Sequence, residues 1–117
     1  MNIDALLPQI IPAAVAWAQA QAENIAQTGE ALPEALLAVA RQVGVLAPER
    51  IRILRVDSVP FPEQALLRQA ALQTGMIGFG MIGFGMAGLP LGYGVFIARR
   101  YETVRLLSHE FFACAAI

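Results

Sequence analysis

The chain has 117 residues, a formal net charge of −1, 57% hydrophobic and only 15% charged residues. That length suits one small domain, and so apolar a composition points to a membrane contact, an oligomer, or a domain whose core is incomplete. No basic run is longer than Arg99-Arg100, which excludes nucleic acid as a partner because phosphate neutralisation needs a basic stripe.

The opening "MNIDALLPQIIPAAVAWAQ" has an early Asp4 and no basic segment, unlike a secretory signal. The cytoplasm is the favoured compartment, with membrane association as the alternative. The spacing of Leu7, Ile11, Val15, Ala18, Ala22 and Ile25 predicts one apolar helix face. Pro12 fits the first turn of that helix and Gly29 the position just past its end, which leaves Pro8 in a lead-in segment. A second helix is expected from near Pro33 to Val43, with Leu36, Val39 or Ala40, and Val43 inward and Gly44 as its stop. "RIRILRVDSV" (50–59) is the best strand, rich in β-branched residues and ended by "PFP". A third helix is expected from Pro62 to Thr74, with Pro62 at its first position, Glu63 near its positive end and Gly75 past its last turn.

Residues 75–98 hold eight glycines and no charge, long enough for a membrane-spanning helix, with Arg99-Arg100 as its flank. The glycines argue against that. A tight membrane helix pair wants small residues four apart, whereas Gly78, Gly83 and Gly88 are five apart, and five residues rotate a helix by about 140°. The interval comes from a tandem "MIGFG" at 76–80 and 81–85. "GFG", "GFG" and "GYG" instead suit extended backbone, and "LGYGVFIA" (91–98) is a credible strand. A helix break between Gly75 and Leu89 is therefore expected, with extended backbone over Leu91–Ile97.

In "RRYETVRLLSHEFFACAAI" (99–117), Tyr101, Val104, Leu107 or Ser108, and Phe111 recur at helical spacing. The helix carries His109 and Glu110, about 100° apart. In H-E-x-x-H, histidines at i and i+4 stack on one face to hold zinc, and the Glu takes a proton from the metal-bound water. Here the i+4 position is Ala113. A His-Glu dipeptide alone is also what an ordinary surface pair looks like.

"LGYGVFIA…ETVRLLSHEF" resembles a group of small bacterial zinc metallopeptidases of the HExxH (zincin) type, in which a Gly-Tyr-Gly strand precedes a charged turn and an active helix. "RILRVDSVPFPE" is similar to the strand and turn upstream in that group, so the resemblance spans roughly residues 45–111. It implies His109 as a zinc ligand, Glu110 as the general base, and a peptide substrate. It also implies an edge strand, Gly92, Tyr93, Gly94, Val95 and Phe96, that would hold the peptide by backbone pairing. The sequence departs from the family at Ala113, and "FACAAI" is unlike the expected polar, His-bearing continuation.

The fold expected is α+β, one domain over 1–117: three or four helices with a small antiparallel β element, Ile51–Val56 with Leu91–Ile97, beside the C-terminal helix. Two functions stand open. One is a metallopeptidase-like domain, truncated or frameshifted, inactive, with zinc binding weak or absent. The other is a small membrane-associated or self-assembling protein, such as a homo-oligomer, that works through residues 75–98.

Overall fold

The computed structural model describes residues 3–62, 65–73 and 86–117. Among these it is an α+β structure. Four α-helices, α1 (Ile3–Thr28), α2 (Glu34–Gln42), α3 (Ala65–Gln73) and α4 (Val104–Ala115), accompany strands β1 (Glu30–Ala31), β2 (Arg52–Val56), β3 (Gly88–Leu91) and β4 (Gly94–Ala98).

The strands form one mixed sheet in the order β1-β2-β4-β3. β2 and β4 pair in parallel, Arg52 with Gly94 through Val56 with Ala98. The expected antiparallel partnership of these two strands is thus corrected. The antiparallel contacts are β1 with β2 and β3 with β4. A parallel pair needs a crossover connection, and here α3 and β3 lie in the chain between the two strands. The expected single strand over Leu91–Ile97 is a hairpin instead. Gly92 takes φ +64 at the first of the two turn residues, the place where a tight hairpin of this kind calls for glycine.

Alternation along β2 and β4 gives the sheet two apolar faces. Ile53, Val95 and Ile97 point to one side and pack with Leu107, Phe111 and Cys114 of α4 and Ala40 of α2. Phe96 and Ala98 point to the other, with Ile25 of α1, Val59 and, partly buried, Leu54, Leu89 and Leu91. Val95 through Ala98 are all buried, as an interior strand covered on both faces requires.

The helix α2 ends as its sequence foretells. Val45 N–H donates to Ala40 O at 3.0 Å and Gly44 N–H to Arg41 O at 3.1 Å, with Gly44 at φ +100. This is a Schellman closure. The helix α1 differs from expectation at its start, because Pro8 and Pro12 both lie inside it. Each proline removes a donor to the carbonyl four residues back. Both sit on exposed surface, where solvent can satisfy the freed carbonyls of Asp4 and Pro8.

The apolar stripe of α1 is corrected too. Ile25 is fully buried, but Leu7, Ile11 and Val15 are 37%, 54% and 48% exposed. Ile10, with Leu6, Ala13 and Trp17, packs on Leu66 and Leu67 of α3 instead. No charge occurs between Asp4 and Glu23, so polarity does not mark which side of this half-helix faces inward. The expectations for Glu63, Thr74, Gly75 and the two "MIGFG" copies lie outside the described residues. Residues 88–91 and 94–98 are strands, which rules out one unbroken helix over 76–98. No described helix is long and apolar enough to cross a membrane.

Candidate functional site

Helix α4 starts where the sequence changes from extended to helical backbone. Thr103 is its N-cap, and the Thr103 hydroxyl accepts from Leu106 N–H at 3.0 Å, satisfying one of the orphan donors of the first turn. Leu107, Glu110, Phe111 and Cys114 form its buried face. Tyr101 and Val104, expected to share the inward stripe, are 41% and 59% exposed.

Glu110 is the one buried charged residue among those described, at 7% exposure. It lies against the backbone of β3: a Cβ placed on Gly88 would sit 3.0 Å from both Cδ and Oε1 of Glu110. Glycine at 88 therefore makes room for the carboxyl. Burial pushes the Glu110 pKa up, and the neighbouring His109 opposes part of that rise. His109 itself is exposed, as is Ala113, about 40° further round the helix. Cys114 is buried and its Sγ donates to Gly92 O at 3.3 Å. Burial raises that thiol, and Glu110 adds to the rise.

The helix thus brings Glu110 to the junction of α4 and β3, leaves His109 exposed, and places Ala113 near His109 on the same helix face. Among the described residues no group of three or more His, Cys, Asp or Glu side chains could hold a metal ion. A catalytic zinc takes three protein ligands and an open position. One exposed imidazole beside a carboxyl turned against Gly88 does not meet that requirement, so these residues do not fit zinc.

The peptide edge expected at Gly92–Phe96 is corrected. Gly92 and Tyr93 form the hairpin turn, and Gly94, Val95 and Phe96 belong to β4, which is paired on both sides by β2 and β3. Its backbone is used up in the sheet. Tyr93 carries Arg50 over its ring at 4.2 Å. Among the described strands the outer one beside α4 is β3. Ala98 N–H donates to Ala87 O, and bonded pairs alternate along an antiparallel ladder. Leu89 and Leu91 therefore bond inward, and Gly88 and Pro90 face outward. Pro90, with no N–H, takes a position where none is needed by the ladder.

An ion-pair cluster near the start of α4 had no signal in the sequence. Arg55 donates to both carboxylate oxygens of Glu102, from Nε at 2.7 Å and Nη2 at 3.0 Å, and to Glu30 at 3.2 Å. The Glu102 hydrogen bonds raise the guanidinium pKa further and tie β1 and β2 to the residue preceding the α4 cap. These partners are 25 and 47 positions away, beyond any local pattern.

Fold and site together define, among the described residues, an α+β structure with a buried Glu110 where its last helix meets an outer strand, next in sequence to the exposed His109. Compared with protein families, curated proteins and solved structures, the chain matches none.

Proposed function

We propose that this chain is a zincin-like metallopeptidase domain with an incomplete metal site, inactive as the sequence stands. The observation that carries the reading is Glu110, a carboxyl held at 7% exposure against Gly88 of the outer antiparallel strand, on the helix that presents His109. In zincins the general base lies on the active helix and the peptide pairs with an adjacent edge strand. In this chain that edge would be β3, whose outward groups are Gly88 N–H and C=O and Pro90 C=O. Ala113 supplies no ligand at the i+4 position. Without a second imidazole the metal is not held, and Glu110 has no activated water to deprotonate.

The reading is tested by dialysing the purified chain against a mild chelator and measuring zinc and peptidase activity. Less than stoichiometric zinc and no hydrolysis above background are expected. Stoichiometric zinc or chelator-sensitive hydrolysis would overturn the incomplete site.

A further inference from the structure

We infer that the outer edge of β3 takes an extended peptide, and that Glu110 selects a basic side chain at the peptide position opposite Gly88. The inference rests on the reading above only for β3 as the peptide edge, and zinc plays no part in it. Glu110 is 7% exposed. Among the described residues it has neither a hydrogen bond nor a salt bridge, and the charge that acts on it is that of the exposed His109. No sealed side-chain oxygen or nitrogen among those residues lacks a partner, so the unbonded Glu110 oxygens reach the surface. A carboxylate held this far from water without a counter-charge carries a desolvation cost, which an arriving cation offsets.

Sheet geometry assigns that cation to one residue. Gly88 turns its N–H and C=O away from β4, because the inward bonds fall at Ala87, Leu89 and Leu91. A residue added opposite Gly88 in antiparallel pairing exchanges both bonds with it. Its Cβ then stands about 5 Å from the Cβ position of Gly88, on the same face of the sheet. That position is 3.0 Å from Cδ and Oε1 of Glu110, so a lysine or arginine stem there runs along the carboxyl. Pro90 C=O accepts from the peptide residue two positions earlier and adds a third bond.

Charge selects the occupant. Residues 74–91 carry none, so neither the segment leading into β3 nor the β3 of a second copy brings a cation to Glu110. Arg50 lies over Tyr93, Arg55 binds Glu102 and Glu30, and Arg99 binds Asp57. A separate peptide with a lysine or arginine supplies the missing charge, and the sheet edge supplies the backbone bonds that hold it extended.

The test is fluorescence anisotropy of the full chain with fluorescein-labelled peptides of sequence Thr-Val-Lys-Val-Thr and counterparts with norleucine or glutamate in place of lysine. The lysine peptide should bind at least about fivefold more tightly than the norleucine one, which keeps the stem and lacks the charge. The glutamate peptide should bind most weakly. Glu110→Gln should bring the lysine-to-norleucine ratio to about one. N-methylation of the lysine amide, which removes the donor to Gly88 C=O, should weaken binding about fivefold. If Glu110→Gln fails to fold, the peptide series on the wild type still decides. Equal affinity for lysine and norleucine, or a lysine preference that survives Glu110→Gln, would overturn the selection by Glu110 and leave β3 standing as a peptide edge. Binding of none of the peptides would overturn the edge as well, while the zinc content of the dialysed chain tests the incomplete metal site separately.

Discussion

Glu110 brings its carboxyl to 7% exposure between α4 and Gly88, and burial raises its pKa above the ordinary 4.5 despite His109. A carboxyl whose folded pKa is raised stabilises the fold fully below the unfolded value, and that contribution is lost as pH rises through the folded value. At neutral pH the ionised form therefore costs stability, and Glu110→Gln removes that cost. The variant should melt at a higher temperature than the wild type at pH 7, with the gap closing as the pH falls below about 4.5. Thermal unfolding followed by circular dichroism at both pH values checks this. A lower melting temperature for Glu110→Gln at pH 7 would mean that the carboxylate has compensating contacts.

At the scale of elements, the junction of α4 with β3 depends on a missing side chain. Alanine in a strand is ordinarily favoured over glycine, but at Gly88 its Cβ would meet Cδ and Oε1 of Glu110 at 3.0 Å. The contact is with the end of a flexible side chain, so the cost of Gly88→Ala should be modest, about 1 kcal/mol. It should vanish or reverse in a Glu110→Ala background. Denaturant unfolding of the two single variants and the double variant measures this coupling, and additive effects would place Glu110 away from β3. The start of α4 rests on Thr103, whose hydroxyl caps Leu106 N–H. Thr103→Ala should lose about 1 kcal/mol in the same assay.

Across the whole molecule, local chemistry was legible and pairing at a distance was not. Gly44 announced the end of α2, because few other residues suit its φ of +100. β2 and β4 followed from β-branched and aromatic runs, and α4 from its spacing. That β2 and β4 run parallel was not readable, because strand direction is set by the crossover and not by strand composition. The hairpin at Gly92 was hidden in "LGYGVFIA", where glycine could mark a turn or a close strand contact. The inward side of α1 was misjudged because no charge between Asp4 and Glu23 marks a polar side, whereas its packing on Leu66 and Leu67 of α3 is set at a distance in the chain. For the site, His109 and Glu110 were found by motif alone. The burial of Glu110 and the role of β3 as the outer strand needed the sheet.

A zincin-like α4 would present His109 and lack its partner at Ala113. Histidine at 113 would stand on the same helix face as His109, one turn away. Zinc titration of Ala113→His by calorimetry, beside the wild type and the Ala113→His/His109→Ala double variant, tests this most directly. Ala113→His should bind zinc at least about tenfold more tightly than either comparison, about 1.4 kcal/mol, still without peptidase activity because the third ligand is missing. Affinity unchanged from the wild type, or an increase that survives loss of His109, would contradict it.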